Sequence, residues 1–326
     1  AGDDITNDAE HAQALVISGT STGGEAGDVV SVVLNGKTYT TTLDASGNWS
    51  VGVPAADVTA LGSGAQTITA SVSDRAGNSD DASRTVTVSL SAPVISINTI
   101  AGDDVINATE KGSDLMLSGT SDQPAGTAIT VTLNGQNYSA TTDASGNWSV
   151  TVPASAVSAL GEATYSVTAS VTNAQGNSST ASHNVQVNTA LPSVTINPVT
   201  TDDIINAAEA GSAQTISGQV TGAAAGSTVT VELGGKTYTA TVQADLSWNV
   251  SVPAADWQAL GNGELTVNAS VTNAVGNTGS GTRDITIDAS LPGLRVDTVA
   301  GDDVVNAAEH GSSLVISGTT TAPVGQ

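Results

Sequence analysis

The sequence predicts an all-β chain of tandem sandwich domains, and three observations predict it. Landmarks recur about every hundred residues: paired aspartates begin at Asp3, Asp103, Asp202 and Asp302, spaced by 100, 99 and 100. Apolar residues alternate with Thr and Ser over short runs, which is the period of a half-buried strand. Asn, Asp, Gly and Pro separate those runs at regular intervals, as turns do.

The repeat sets the unit. Trp49, Trp148 and Trp248 each lead an alternating stretch that ends in Val-Pro-Ala. "ITASVSDRAGN" from Ile68 matches "VTASVTNAQGN" from Val167 and "VNASVTNAVGN" from Val267. A period near 100 residues is a domain, longer than a solenoid repeat.

Each element can be read in the second copy. Ile129, Val131 and Leu133 alternate with Thr130 and Thr132, and Asn134-Gly135 then signals a hairpin with "QNYSATT" returning. "NWSVTV" from Asn147 and "TYSVTASVT" from Thr164 alternate likewise, and "NAQGN" turns the chain into a last strand. "PASAVSALG", opened by Pro153 and closed by Gly161, reads as one helical turn inside a loop. About seven strands in roughly 100 residues describe an immunoglobulin-like sandwich. The chain has no cysteine, so the Cys…Trp…Cys signature of antibody domains is absent. Tyr165 suggests a tyrosine corner, but Gln66 and Leu265 stand in its place in the other copies and argue against one. An eight-residue strand spans about 27 Å, so three units arranged as a rod would reach on the order of 100 Å.

The expected boundaries are 1–91 for a repeat lacking its first strand, 92–191 and 192–291 for whole repeats, and 292–326 for the start of a fourth. The seams carry Ala92-Pro93, Leu191-Pro192 and Leu291-Pro292, and proline there suits a short, stiff linker. Read as a window of a longer array, the first unit is expected to have an exposed edge, or one covered by a neighbouring molecule. The last piece is too short to build a sandwich core.

Composition removes several function classes. Acids number 31 against 7 bases, for a net charge of -24, which repels nucleic acid and anionic membrane surfaces. Without cysteine there is no disulfide framework and no thiolate metal site. No apolar run reaches the ~18 residues of a membrane span, and no basic-then-apolar start reads as a signal peptide. High Thr, Ser, Val and Ala content with regular alternation speaks for sheet rather than disorder.

The pattern Asp-Asp-x-x-Asn-x-x-Glu is the candidate site. It occurs as Asp3, Asp4, Asn7 and Glu10; as Asp103, Asp104, Asn107 and Glu110; as Asp202, Asp203, Asn206 and Glu209; and as Asp302, Asp303, Asn306 and Glu309. Strand order puts this loop at the far pole of each sandwich, with "TDASGN" (142–147) and "NAQGN" at the near pole of the next. Asp3, Asp4 and Glu10 are therefore expected to approach Asp143 and Asn173, and Asp103, Asp104 and Glu110 to approach Asp245 and Asn273. Carboxylates gathered at a seam repel unless protons or cations neutralise them. Calcium (Ca2+) takes six to eight oxygens in tolerant geometry, whereas magnesium demands strict octahedral order and transition metals favour histidine or thiolate. The spacing is not that of an EF-hand loop. Asn107-x-x-Glu110 is equally a helix-start pattern, and aspartate turns can serve only their own amides. The two readings can coexist.

Catalysis is disfavoured. A glycosidase needs two carboxyls across one cleft, and this cluster recurs in four tandem copies. His11, His183 and His310 form no repeating constellation and read as surface residues. No Ser-His-Asp set or phosphate-cradling loop is present. The repeated tryptophans read as core, and Trp257, which stands where the other copies have a small aliphatic residue, is expected to pack across a domain junction. Matches such as Asn147-Trp148-Ser149 read as by-products of strand composition.

Taken together, "AGDDVINATE", "DASGNW", "VPAADWQALGNG" and "LPGLRVDTVAGDD" resemble the tandem bacterial immunoglobulin-like repeats of giant biofilm-associated surface adhesins of the BapA type, with SiiE-type adhesins as relatives. The resemblance implies type I secretion from a Gram-negative cell, retention at the cell surface, adhesion and biofilm formation, and calcium at domain junctions stiffening a rod. Carried over by position, the calcium role falls on the loop residues named above. The third unit departs, with "QADLSW" for "DASGNW" and Thr201 for glycine, which weakens ligation at the second junction. The expected function is a non-enzymatic stalk whose partners are its own neighbouring repeats. The rival is a module that binds a glycan or another adhesin chain, including homotypic cell–cell contact. That reading needs an exposed aromatic platform, for which Trp257, Tyr39, Tyr138 and Tyr238 are the available residues.

Overall fold

The computed structural model describes residues 2–322; residue 1 of the expected first unit and residues 323–326 of the fourth lie outside the described residues. The chain divides into two compact units, Ala1–Asn188 and Thr189–Gln326.

The first unit holds two repeats. Repeat 1 runs β1 (Ile5–Thr6), α1 (Asp8–His11), β2 (Leu15–Thr20), β3 (Val29–Leu34), β4 (Lys37–Thr42), β5 (Asn48–Val53), α2 (Ala55–Thr59), β6 (Gly64–Ser73) and β7 (Ser79–Val88). Repeat 2 runs β8 (Val105–Ile106), β9 (Leu115–Thr120), β10 (Ala128–Leu133), β11 (Gln136–Thr141), β12 (Asn147–Val152), α3 (Ala154–Ser158), β13 (Thr164–Thr172) and β14 (Ser178–Val187). The second unit holds repeat 3: β15 (Ser193–Ile196), β16 (Ile204–Asn206), α4 (Ala207–Ala210), β17 (Gln214–Thr221), β18 (Thr228–Leu233), β19 (Lys236–Thr241), β20 (Ser247–Val252), α5 (Ala254–Ala259), β21 (Gly263–Thr272) and β22 (Thr278–Asp288). It ends with β23 (Leu294–Val296) and β24 (Gly318–Thr320).

Each repeat is a sandwich of a five-stranded sheet and a smaller one. The large sheets are ordered β1-β7-β6-β3-β4, β8-β14-β13-β10-β11 and β16-β22-β21-β18-β19. Their first strand pairs parallel with the last long strand, as in Ile5↔Thr87 and Val105↔Gln186. The other neighbours pair antiparallel, and the β3–β4 and β10–β11 turns take positive φ at Asn35-Gly36 and Asn134-Gly135, which matches the twist of the flanking strands. Alternation sends one side of every strand inward, so each repeat encloses its own core.

Three departures from expectation have local causes. Trp257 is 0 % exposed and belongs to the core of repeat 3, not to a junction. Room for it is made nearby: Leu260 is only half-buried and rests over Gly234, where a Cβ would meet its Cδ2, whereas the other repeats carry Asn35 and Asn134 there. The tyrosine corner exists in repeat 2, where the Tyr165 hydroxyl accepts from the Gly161 N–H at 2.9 Å. Gln66 closes the same corner in repeat 1 by donating to the Gly62 carbonyl at 2.8 Å, so an amide replaces the phenol without loss of the tie.

The edge beside β2, β9 and β17 is covered unequally. In repeat 3, β15 joins β17 and β20 as a three-stranded sheet, with Val194 opposite Val220. In repeat 2, Ser96 and Asn98 donate to the Thr120 and Ser118 carbonyls at 2.8 Å, and Ile95 and Ile97 pack on the core. Among the described residues repeat 1 has only β2 and β5 in this sheet, and Trp49 is half-buried while Trp148 and Trp248 are buried. After Pro292 none of the described residues is buried; β23 and β24 pair with each other and are too few to enclose a core.

Candidate functional site

The acidic loop is built by its own backbone. Oδ1 of the first aspartate accepts from the N–H two residues on: Ile5 and Ile204 at 3.1 Å, Val105 and Val304 at 3.0 Å, for Asp3, Asp202, Asp103 and Asp302. The second aspartate adopts left-handed φ of 61°, 64°, 62° and 62° at Asp4, Asp104, Asp203 and Asp303, a region that aspartate enters more readily than most residues. Oδ1 of Asp104, Asp203 and Asp303 reaches back to the N–H four residues earlier, on Ile100, Val199 and Val299, at 2.8–3.0 Å. The carbonyls of Asp4, Asp104 and Asp203 accept from Thr87, Gln186 and Thr286 and so begin the parallel pairing of β1, β8 and β16.

The remaining pair caps a helical turn. Asn7 Oδ1 accepts from the Glu10 N–H at 3.0 Å while Glu10 Oε2 accepts from the Asn7 N–H at 3.3 Å, a complete capping box. Asn107 with Glu110, Asn206 with Glu209, and Asn306 with Glu309 repeat that exchange. Between the halves lies an extended stretch whose inward residue, Thr6, Ile106 or Ile205, is buried. Two intervening residues, or three backbone steps, set the second aspartate and the capping asparagine up to about 10 Å apart. That separation is why the four side chains do not converge on one point.

A cation that the sequence reading passed over faces the second aspartate. Arg84 donates through Nε and Nη2 to Asp4, and Arg283 does the same to Asp203. His183 occupies the equivalent position in repeat 2, with Nε2 at 2.8 Å from Asp104 Oδ1. His183 is thus no unpatterned surface residue. The signal was available: two of the seven Lys and Arg residues stand at one place in the repeat, and His183 fills that place in the other copy. The arginine partners hold the Asp4 and Asp203 carboxyls below the usual range. Asp104 is lowered first by the Ile100 N–H and then by His183. His11 Nε2 lies 3.0 Å from the Leu61 carbonyl, and His310 is exposed.

The seam between repeats 1 and 2 is made by asparagine. Asn177, 3 % exposed, accepts on Oδ1 from the Asp8 N–H at 2.8 Å and donates through Nδ2 to the Ser89 carbonyl at 2.9 Å and that of Ser91 at 3.3 Å. Asn173 adds a bond to Ser91 at 2.9 Å. The "NAQGN" turn therefore meets the loop of the preceding repeat, as its placement at the near pole required. In repeat 3, Asn273 and Asn277 both donate to the Ala190 carbonyl at 3.2 Å. Asp143 closes its own turn, accepting from Ser145 and Asn147 at 2.7 and 2.9 Å, and Asp245 does so from Ser247. Both carboxyls are lowered by those bonds, Asp143 chiefly by Asn147 and Asp245 chiefly by the Ser247 hydroxyl. The seam residue Asn177 was missed because it was read as part of a turn, although its recurrence as Asn277 was visible.

An all-oxygen donor set suits calcium and not a transition metal. Among the described residues, however, no three carboxylate or imidazole side chains gather as a metal-holding group. Trp148, Trp248 and Trp257 are buried and supply no aromatic platform. The Tyr39 and Tyr238 hydroxyls are engaged by Asp57 and Asp256, and burial together with Asp256 pushes the Tyr238 phenol up to about 12. Among the described residues no helix is long and apolar enough to cross a membrane.

Residues 1–90 and 91–189 each match the bacterial Ig-like domain family. This chain belongs to that family. None of the curated proteins compared with this bacterial Ig-like chain matches it. Among solved structures it is similar to a Ca2+-stabilized adhesin with which an Antarctic bacterium reaches out and binds ice, at 36 % identity over 99 % of this chain and 81 % of that one, with a TM-score of 0.50. It is also similar to a bacterial ice-binding adhesin, at 32 % identity over 89 % of this chain and 95 % of that one (TM-score 0.48). A tetra-tandem repeat from the extending region of a large adhesion protein aligns at 27 % identity over 95 % of this chain and 78 % of that one (TM-score 0.29).

Proposed function

We propose that this bacterial Ig-like chain is an extender segment of a cell-surface adhesin, acting mechanically and not as an enzyme. The observation that carries the reading is the seam, where a buried asparagine joins repeat 2 to repeat 1 by three direct hydrogen bonds. A stalk keeps its reach and direction only if successive domains are coupled, and a loose linker would let them move independently. The adhesin relative at 36 % identity supports an extracellular or surface setting and a role in adhesion. Export by type I secretion and a part in biofilm formation extend that reading.

Calcium enters as the finer part of the proposal. The oxygens that the loops do not spend on their own amides belong chiefly to Asp3, Asp103, Asp202 and Asp302 and to Glu10, Glu110, Glu209 and Glu309. Asp4 and Asp203, held by arginine, are weaker candidates than Asp104, which faces a histidine. Each carboxylate has a second oxygen beyond the one its turn uses, and backbone carbonyls and water would complete a set of six to eight. Asp143 would contribute from the turn of the repeat that follows the first loop. Bound calcium would neutralise carboxylates and stabilise the folded array by mass action.

Thermal melting and small-angle scattering with calcium and with chelator test both parts. Calcium should raise the melting temperature, and chelator should broaden the distribution of maximum dimensions. An unchanged melting temperature removes calcium. A chain whose repeats unfold independently under both conditions removes the coupled stalk.

A further inference from the structure

Asparagine followed by glycine is open to spontaneous deamidation, because no side chain on the glycine keeps its nitrogen from the asparagine amide. The pair occurs at Asn35-Gly36, Asn134-Gly135 and Asn262-Gly263. The first two form the tips of the β3–β4 and β10–β11 hairpins, where repeat 3 carries Gly234-Gly235. A Cβ on Gly36 or Gly135 would meet nothing within 4 Å, so both tips stand in open space.

The three asparagines are held unequally. Asn262 donates through Nδ2 to Ser290 Oγ at 2.8 Å and accepts on Oδ1 from the Ala289 N–H at 3.1 Å. Asn35 donates to the Ala60 carbonyl at 3.4 Å. The Asn134 side chain has no hydrogen-bond partner among the described residues.

The hairpins differ in the same sense. Lys37 and Tyr39 of β4 both donate to the Asp57 carboxylate, which pins the β3–β4 hairpin to α2. Lys236 and Tyr238 pin β19 to Asp256 of α5 in the same way. Repeat 2 has Gln136 in place of the lysine and Ala156 in place of the aspartate, and the Tyr138 hydroxyl has no partner among the described residues. The Thr132 hydroxyl bonds Asn137 Oδ1 at 2.8 Å, but that joins the two strands of the hairpin to each other and not to α3. β4, β11 and β19 are alike in being the edges of their sheets, so the ties to the helical turn are what distinguish them. An untied edge hairpin opens more often than a tied one.

Opening is the gate to the chemistry. Asn134 has φ 49°, in the left-handed region, which sets the next backbone nitrogen on the far side of the Cα–C bond from the residue's own side chain. The turn must open before the Gly135 nitrogen can face Asn134 Cγ. We infer that Asn134 is the site at which this chain deamidates, ahead of Asn35 and Asn262, because the β10–β11 hairpin alone combines Asn-Gly with a tip that nothing ties down. In the open tip the Gly135 nitrogen loses its proton to water and bonds to Asn134 Cγ; the Cγ–Nδ2 bond breaks and ammonia leaves, carrying a proton back from the solvent. Water then adds to either carbonyl of the resulting succinimide, and the ring opens to aspartate or isoaspartate. Nothing is oxidised or reduced, and water is the co-reactant. The product is a carboxylate at the tip of a sheet whose strands β10, β11, β13 and β14 contain no Asp, Glu, Lys or Arg. Isoaspartate also lengthens a two-residue turn by one backbone carbon, which loosens the Leu133↔Gln136 pair.

Peptide mapping by mass spectrometry of the intact chain, sampled over time at neutral pH, reads each site separately. Asn134 should convert about tenfold faster than Asn35, whose hairpin loses a charge-assisted hydrogen bond and an exposed ion pair on opening. Asn262, held by two hydrogen bonds, should lag Asn134 by at least about tenfold. In denaturant the three sites should convert at one common rate, which assigns the difference to the fold. The double variant Gln136→Lys, Ala156→Asp should slow Asn134 towards the rate of Asn35, and Lys37→Gln, Asp57→Ala should speed Asn35 towards that of Asn134, with melting curves to verify that each variant is folded. Asn35 converting as fast as Asn134 in the folded chain, an Asn134 that stays intact while the denatured chain converts, or rates that neither exchange moves would each overturn the inference.

Discussion

Asn177→Ala is the sharpest test of how the first two repeats are coupled. The side chain makes three hydrogen bonds across the seam and is 3 % exposed, so water does not replace them in the intact contact. At roughly 0.5–1.5 kcal/mol net for each bond, the coupling should fall by about 2–4 kcal/mol. The Asp8 amide loses its acceptor and the Ser89 carbonyl its partner, which places the effect towards the upper end. Amide hydrogen exchange at Asp8 reads this directly, because its N–H is one of the donors. Each 1.4 kcal/mol or so is a factor of ten, so exchange should accelerate by at least tenfold and by up to several hundredfold. Asn78→Ala is the control, since Asn78 is exposed and its amide serves Asp74 in the same turn; a change within about 0.5 kcal/mol is expected. Asp8 exchange that is unchanged in Asn177→Ala would refute the clamp and, with it, the reading of the seam as a coupled joint.

Further consequences follow from single positions. Thr6 is 1 % exposed with its hydroxyl unpartnered, where repeats 2 and 3 place Ile106 and Ile205; Thr6→Val should stabilise repeat 1 by about 1 kcal/mol, and a calorimetric melting temperature that falls would contradict it. Trp257→Val should cost about 3 kcal/mol through the cavity it leaves, and adding Gly234→Asn should recover part of that only if Leu260 swings inward. Denaturant melts of the two single variants and the double variant give the coupling, and strict additivity would show that the two sites are independent. Asp57 is held below the usual carboxyl range first by Lys37 and then by Tyr39. A depressed carboxyl stabilises the fold above its unfolded value near 4 and loses that contribution as pH falls through the folded value. Asp57→Asn should therefore lower the melting temperature at pH 7 and converge with the parent chain once the pH has fallen far enough to protonate the depressed carboxyl in the folded state; a gap that persists in acid would assign the effect to packing instead.

Much of this protein is settled locally and was legible as such. The strands follow from alternation, the hairpins from Asn35-Gly36 and Asn134-Gly135, and the caps from Asn and Glu three residues apart, because each depends on neighbours within a few positions of the chain. The period of about 100 residues carries these local decisions from copy to copy. The sequence also suggested that the acids form one cluster at the seam, and there proximity in sequence misled. Asp4 and Asn7 are three residues apart but face different partners, because the buried Thr6 draws the intervening strand onto β7.

Only the tertiary structure decided which distant groups meet. Arg84, His183 and Arg283 reach their aspartates across about 80 residues, and Asn177 reaches Asp8 across 169. Trp257 looked like an interface residue while its neighbours were unknown; the fold buries it in the core of repeat 3 and rests Leu260 over Gly234, where a Cβ would meet it. What the sequence determined by itself is the repeated sandwich, through periodicity that any one strand expresses. Which surfaces close and which stay open depends on strand neighbours far along the chain, and that pairing exists only once the sheets have formed.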